Sequence, residues 1–334
     1  MPLHSGEKTY FCLINKSDNF MKKNIGLFLI MLMAISCNDG DMVFESLNFE
    51  EVPMQKCEDK ELYFKVSDKE MLVVNLSSPT GEPIINNNLQ VGEELEILTN
   101  NTNQIIYRLY DNSISNQNML CSDVPPAFPQ VVDEYISENN GSIVVTKQLQ
   151  VRNNDNQPNS FSVAYNFSFL FKNIVLSQSE SQIKYPNYAF GTYQAESYTL
   201  NFNQFDRDEI NSCGNLSFYM ETSDKVMQVQ LTESLPTTIQ ETNLLLSDNQ
   251  YIKIKINQGI LSQIEGYSPC DFGNDTLFFD VWTSTAGNLK INAREVEIAG
   301  VTQLVYDFEI EQATFTNYDR TIQINNLPIG SYTE

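Results

Sequence analysis

Apolar and polar residues alternate along most of this chain. In the segment 304–310, Leu, Tyr, Phe and Ile occupy the even positions, whereas Val, Asp and Glu occupy the odd ones. A period of two with one polar face is typical of antiparallel strands. A sheet with one apolar face needs a second sheet to cover it, so the pattern predicts an all-β protein built from antiparallel β-sandwiches. Other predicted strands, rich in β-branched and aromatic residues, lie at 62–66, 71–76, 105–110, 143–151, 161–171 and 289–298.

An internal duplication is visible at constant spacing. Four landmarks recur 156 positions further on without a gap: Phe49 as Phe205, Cys57 as Cys213, Ser67-Asp68-Lys69 as Ser223-Asp224-Lys225, and Met71 as Met227. Others follow at smaller displacement: Cys121 with Cys270, Asp133–Ser137 with Asp280–Ser284, Gly141 with Gly287, and Tyr165-Asn166-Phe167 with Tyr306-Asp307-Phe308. Small, ordered changes in displacement indicate a tandem duplication with loop deletions in the second copy.

The duplication predicts two tandem β-sandwich domains. We place repeat one at residues 42–178 and repeat two at 196–334, with residues 179–195 as a linker that contains Ser, Tyr, Pro and Gly. The segment Val131–Ile136 has some helical periodicity. Its counterpart Phe278–Trp282 is rich in aromatic residues, however, so we predict a strand at both places.

Four cysteines fall within the two repeats, one pair in each. Four cysteines allow three pairings, and only Cys57–Cys121 with Cys213–Cys270 treats both copies alike. An oxidising envelope favours such bridges. A cysteine metal site is the alternative, but these cysteines lack close Cys-x-x-Cys spacing and any neighbouring histidine.

The first 36 residues have the composition of a signal peptide. Lys22-Lys23 precede an apolar run, Ile25–Ile35, that is too short to span a bilayer as a stable helix. The Met-Lys-Lys order at Met21 indicates the true start, so residues 1–20 are interpreted as a mis-assigned extension. We therefore leave residues 1–36 out of the fold prediction.

The residues after this run resemble those of bacterial lipoproteins. Ala34-Ile35-Ser36-Cys37 is similar to a lipobox, in which the cysteine thiol receives diacylglycerol and the peptide is cut before it. Asn38–Asp41 resembles the acidic export signal of surface lipoproteins of the Bacteroidota, and the short aromatic strands look like flavobacterial lipoproteins of unknown function. The resemblance implies an outer-membrane lipoprotein that faces the cell exterior, with its anchor on Cys37. An ordinary cleaved signal peptide is the alternative.

Charge narrows the range of partners. The chain has 20 basic and 43 acidic side chains and a formal net charge of −23. Such a surface repels phosphate backbones and anionic lipid headgroups, so we expect no nucleic-acid partner.

The chain carries few candidates for catalysis. Its one histidine, His4, lies in the part that we expect to be absent from the mature protein, which argues against Ser-His-Asp, Cys-His and histidine-based zinc sites. A glycosidase would need only two carboxylates. We interpret the carboxylate groups as solvated edges and predict no enzyme and no cofactor. These groups are Asp133/Glu134, Asp206/Asp208/Glu209 and Glu295/Glu297.

Two kinds of ligand site remain as hypotheses. Asp206, Asp208 and Asn211 place oxygen ligands in one loop, but the loop lacks the Gly and terminal Glu of an EF-hand, and an acidic turn is the simpler interpretation. Exposed aromatic residues could stack on sugar, although burial in the core is the alternative for Trp282 and its counterpart. The candidates are Trp282, Tyr135, Tyr185, Tyr188 and Tyr193.

Two functions fit this sequence. The first is a non-catalytic, lipid-anchored cell-envelope protein that acts as a binding or interaction module for an envelope partner, with its ligand unknown. The second is a polysaccharide-binding surface lipoprotein, similar in plan to the tandem β-sandwich proteins of starch-utilisation systems. An exposed Trp282 would favour the second function, and a buried one would leave only the linker tyrosines to support it.

Overall fold

A computed structural model describes residues 47–334, except for 86–88, 116, 123, 125, 180, 206–208 and 215. Its contacts divide the chain into a unit that ends at Asn48 and a compact unit from Phe49 to Glu334, to which all the strands belong. The described residues lie mainly in antiparallel strands, which confirms the all-β prediction. The predicted signal peptide, Cys37 and the acidic export signal lie outside the described residues. Short 3-10 turns occur at Gln117–Leu120, Phe202–Phe205 and Leu261–Gln263.

The first sheet is built by repeat one. Its strand order is β1-β2-β3-β5-β6-β8-β7-β4, and β9 pairs with β8. The ambiguous segment after residue 130 is strand β6, as predicted. The strands are β1 Gln55–Lys56, β2 Leu62–Ser67, β3 Glu70–Asn75, β4 Glu94–Leu98, β5 Gln104–Tyr110, β6 Val131–Ser137, β7 Ser142–Asn153, β8 Ser160–Gln178 and β9 Ser181–Asn201.

The second sheet is built by repeat two with the same order of equivalent strands. This order is β10-β11-β12-β14-β15-β16-β17, with β13 paired to β15. The single strand β15 corresponds to β6 and β7 together. The strands are β10 Asn211–Gly214, β11 Ser217–Glu221, β12 Lys225–Gln230, β13 Glu241–Leu245, β14 Tyr251–Ile256, β15 Asp280–Ile298, β16 Val301–Asn317 and β17 Arg320–Thr333.

Within each repeat the long strands fold back over the short ones, so that two layers face each other. Tyr63 on β2 lies 4.7 Å from Phe169 on β8, between ring centroids. The equivalent pair in repeat two, Phe218 on β11 and Phe308 on β16, lies 5.3 Å apart. All four rings are buried, so the apolar face of each sheet is covered as a sandwich requires.

Hydrogen bonds to a serine also mark equivalent positions in the two copies. The Ser137 hydroxyl accepts a hydrogen bond from the Ile105 amide at 2.9 Å, and the Ser284 hydroxyl accepts one from the Ile252 amide at 2.8 Å. The two copies are therefore equivalent even in individual side-chain hydrogen bonds.

Strand register corrects two of the sequence matches. In repeat one the β2–β3 turn lies between Ser67 and Glu70, whereas in repeat two it lies between Thr222 and Lys225. The Ser-Asp-Lys triplets are therefore offset by one residue, and Met71 is not the structural counterpart of Met227.

A second correction concerns β8 and β16. Phe169 pairs with Gly191, and Phe308 pairs with Gly330. Both glycines have positive φ, 132° and 127°, which marks them as equivalent. Tyr165 is then the counterpart of Leu304, not of Tyr306. The sequence comparison placed the counterpart of Tyr165 two residues too far along β16. Because side chains alternate between the two faces of a strand, a shift of two residues keeps every side chain on its predicted face.

Both predicted disulfides are confirmed. Cys57 bonds to Cys121 and Cys213 bonds to Cys270, with Cα–Cα distances of 5.3 and 5.5 Å. Each bridge ties the first strand of a repeat to the long loop that precedes β6 or β15. The disulfides thus hold the same two elements in both copies.

The segment predicted as a linker is a strand. Residues 181–195 belong to β9, which pairs along its length with β8. Its Ser, Tyr and Gly residues resemble a linker in composition, but alternate side chains contact the core. Because β9 belongs to the first sheet, we count residues up to Asn201 with repeat one, and the start of repeat two lies after the predicted position 196.

Candidate functional site

The two repeats share one apolar core. The end of β7 and the start of β8 form a hairpin, residues 147–165, which we call the junction hairpin. Its apolar side chains are buried together with the core of repeat two, so the second sandwich is completed by strands of the first. Residues of the first sheet in this core are Leu149, Phe161, Val163, Tyr165 and Leu200, and Phe202 and Phe205 of the 3-10 turn after β9 join them.

Polar contacts fix the position of the junction hairpin on repeat two. Asn159 donates to the Asn325 carbonyl at 3.3 Å and accepts from the Asn325 amide at 3.4 Å. The Arg320 guanidinium donates to the Leu149 carbonyl at 3.0 Å. The hairpin is thus held at its tip and along one strand.

A buried polar network lies where the repeats meet. The Asp280 carboxylate accepts hydrogen bonds from the hydroxyl of Tyr198, the side-chain amide of Asn317 and, at 3.0 Å, the backbone amide of Val281. Burial raises the pKa of the Asp280 carboxyl, and these donors offset part of the shift. Since Tyr198 belongs to repeat one and Asp280 to repeat two, the network spans the junction.

Trp282 belongs to this network and is fully buried. Its indole N–H donates to the Tyr198 hydroxyl at 2.9 Å. The hypothesis that Trp282 stacks on sugar is therefore wrong, because neither ring face reaches solvent. Packing from the other repeat covers the ring, and a single sequence does not reveal such packing.

The counterpart of this junction in repeat one is partly exposed. Tyr135 on β6 is equivalent to Trp282, because Tyr135 pairs with Tyr107 as Trp282 pairs with Ile254. Asp133 accepts a hydrogen bond from the side-chain amide of Gln178 at 3.2 Å. In repeat two, Asp280 accepts the equivalent bond from the side-chain amide of Asn317. We call this surface the open face, and its residues are Val132, Asp133, Tyr135, Gln178 and Ile183. Val132 is 57% exposed, and the other four are half-buried.

An apolar loop borders the open face. In residues 124–131, Val124 is 78% exposed, Phe128 is 71% exposed and Val131 is 45% exposed. The loop follows Cys121 and is therefore tied to β1 by a disulfide. Several large apolar side chains exposed together mark an interaction site more often than scattered ones do.

The corresponding loop of repeat two lies flat against its sheet. The buried ammonium of Lys255 donates to the carbonyls of Asp271 and Asn274, at 2.9 and 3.3 Å, and lies 3.0 Å from the Asp275 carboxylate. The Gln228 amide donates to the Pro269 carbonyl at 2.7 Å. These contacts hold the loop down, whereas the apolar loop of repeat one projects its side chains into solvent.

The tyrosines of the predicted linker face inward along β9. Tyr193 packs against Tyr63 at 5.6 Å, and Tyr188 stacks on Phe171 at 5.8 Å. Tyr185 packs edge-on against Tyr188 at 5.4 Å. Burial raises the pKa of Tyr188 to about 12. All three rings are half-buried, so they line the rim of the core and do not form an exposed platform.

A polar cleft of about 620 Å³ lies on the outer face of repeat two. Its charges are paired across neighbouring strands: Arg294 donates to Asp307 at 2.6 and 3.1 Å, and Lys290 lies 2.5 Å from Glu309. The Ser331 hydroxyl donates to Asp307 at 2.5 Å. Because both central carboxylates are engaged, the cleft is an ion-paired sheet surface.

The predicted calcium loop falls largely outside the described residues, since Asp206 and Asp208 are not described. Asn211 lies exposed on β10. Among the residues that the structure describes, no group of three or more His, Cys, Asp or Glu side chains could hold a metal ion.

Comparison with known proteins supplies no relative. No protein family model, curated protein or solved structure matches this chain. Within the described ranges, no helix is both long and apolar enough to cross a bilayer.

Proposed function

We propose that this chain is a non-catalytic, lipid-anchored protein of the cell envelope, and that it binds a partner protein through its apolar loop. The acylated Cys37 is the anchor. It attaches the protein to the outer membrane, and the folded part faces the cell exterior. The protein works without a cofactor and without nucleic acid. Its scaffold from Phe49 onward is one compact unit, in which the two repeats share a core.

Exposure of the apolar loop is the observation that carries this proposal. Val124 and Phe128 leave more than two thirds of their surface in water, at a position that a disulfide holds in place. Exposed aromatic and aliphatic side chains on a fixed loop can fill a pocket of a partner at little cost in conformational entropy. The strongly negative net charge favours a partner whose contact surface carries Lys or Arg.

Photocrosslinking in the native envelope tests this function. The full chain carries p-benzoylphenylalanine in place of Phe128, and the control chain carries it in place of Ile239, which is 62% exposed on repeat two. We expect a discrete crosslinked protein from position 128 and none from position 239. Equal crosslinking from both positions, or none from position 128, would contradict the proposal.

A further inference from the structure

The open face of repeat one has the same construction as the face of repeat two that receives the junction hairpin. Tyr135 occupies the place of Trp282, and Asp133 with Gln178 reproduces the amide–carboxylate hydrogen bond of repeat two. Ile183 pairs with Leu176 as Ile322 pairs with Phe315. The duplication has therefore produced two docking faces, and the chain supplies one junction hairpin between them.

The residues that cover the docking face of repeat two indicate which ligand would fit the open face of repeat one. The ring of Phe279 packs against Tyr165 of the junction hairpin at 5.5 Å and against Tyr198 at 6.0 Å, and Tyr198 lies on β9, the strand paired with that hairpin. Val132, the counterpart of Phe279, is 57% exposed. A ligand for the open face therefore needs strands with an apolar side and a hydroxyl that can donate to Asp133.

A second copy of this chain does not meet that need. The hairpin of repeat two that corresponds to the junction hairpin joins β15 to β16. Where the junction hairpin has Leu149, Val151 and Val163, this hairpin carries Glu295, Glu297 and Thr302, and all three are exposed. Burying two carboxylates against Tyr135 and Ile183 would be costly. The occupant must come from another protein.

We infer that the open face binds a β-hairpin of a partner envelope protein, which packs an apolar side on Val132, Tyr135 and Ile183 and donates a hydroxyl hydrogen bond to Asp133. This inference rests on the proposed function and specifies its partner. Binding would complete the first sandwich as the junction hairpin completes the second. The apolar loop lies beside the hairpin and extends the contact.

Crosslinking from the open face tests the inference. Two full-length chains carry p-benzoylphenylalanine in place of Val132 or Tyr135 and are expressed in the native envelope beside the chains altered at Phe128 and Ile239. The crosslinked peptides are sequenced by mass spectrometry. We expect positions 132 and 135 to crosslink to one protein, within a strand-turn-strand segment whose apolar residues alternate, and position 239 to give no product. Asp133→Asn should leave crosslinking from position 128 in place and lower it from position 135 severalfold.

Each other result overturns the inference in a distinguishable way. A product from position 128 without products from 132 and 135 would leave the loop as a binding site and exclude the hairpin. Products that map to a helix, or to a second copy of this chain, would also exclude it. Absence of products at 128, 132 and 135 together would contradict the proposed function as well.

Discussion

The indole nitrogen of Trp282 in repeat two lies 2.9 Å from the hydroxyl oxygen of Tyr198 in repeat one. The same hydroxyl donates to Asp280, so one oxygen atom connects three side chains across the junction. Because Trp282 and Asp280 are buried and Tyr198 is only partly exposed, each depends on the others for its hydrogen bonds.

Replacing Tyr198 with Phe should destabilise the protein by about 1–3 kcal/mol, because the change leaves the Trp282 N–H without its acceptor and removes a donor from the buried Asp280. Urea unfolding followed by Trp282 fluorescence measures this cost. Tyr318→Phe is the control, since that ring is 54% exposed. Equal stability of the two variants would show that the network contributes nothing.

The stability of this junction should depend on pH. Burial raises the pKa of Asp280 in the folded protein, whereas in the unfolded chain its carboxyl ionises near the ordinary value of about 4. Raising the pH above 4 therefore ionises the unfolded state first, and the contribution of Asp280 to the free energy of unfolding falls as the pH approaches the folded pKa.

Urea unfolding of the wild-type protein and of Asp280→Asn between pH 4 and 7 tests this sign. The difference in free energy of unfolding, wild type minus variant, should decrease as the pH rises. A difference that stays constant or increases over this range would contradict the raised pKa.

Removing either disulfide should lower stability substantially. The bridges join residues 64 and 57 positions apart, for which loop-closure entropy gives about 4 kcal/mol each, as a model-dependent figure. The double variants Cys57→Ser/Cys121→Ser and Cys213→Ser/Cys270→Ser, compared by thermal unfolding, check it. Non-reducing peptide mapping should show both native bridges, and a Cys57–Cys213 peptide would contradict the paired arrangement.

Gly287→Ala should be strongly destabilising. A Cβ at this position would lie 2.1 Å from the Gln312 carbonyl oxygen, and the backbone φ of 138° is one that L side chains rarely adopt. We expect a loss of several kcal/mol, on the order of the largest single-residue effects. Gly259→Ala, where the nearest neighbouring atom is 3.6 Å away, should unfold at nearly the wild-type urea concentration.

The lipid anchor is open to a direct test. Cells that express the full chain should incorporate labelled palmitate into it, and Cys37→Ala should abolish the label, because that thiol is the proposed attachment point. Cys12→Ala is the matched control, since that cysteine precedes the interpreted start at Met21. Persistence of the label in Cys37→Ala would refute the anchor.

Sequence alone predicted the fold class, because alternation is a local signal, and both disulfides, because only one pairing of the four cysteines treats the two copies alike. It misplaced the repeats by one residue at Met71 and by two at Tyr165, since alternating patterns look similar after small shifts. Only the ladder of hydrogen bonds fixes register.

The candidate site was harder to predict. Trp282 and Tyr135 were correctly matched as counterparts, yet one is buried and the other half-exposed. Their difference arises from strands of repeat one that cover Trp282, among them β9 with Tyr198, and these strands are distant in sequence from Trp282. The sequence did contain one signal of the junction hairpin. Leu149, Val151 and Val163 continue the apolar face of β7 and β8 to the end of the hairpin. At the equivalent end of the hairpin in repeat two, Glu295 and Glu297 interrupt the apolar face.

The shared core also has a consequence for biosynthesis. The junction hairpin is complete once Tyr165 has been made, but the surface that buries it includes Ile322 and Ile324 on the last strand. Because the chain is made and exported from its N-terminus, the apolar side of the hairpin stays uncovered until β17 has also emerged. A newly made chain therefore exposes an apolar surface that is prone to aggregation. We expect chaperones to shield this surface until β17 has folded onto the hairpin.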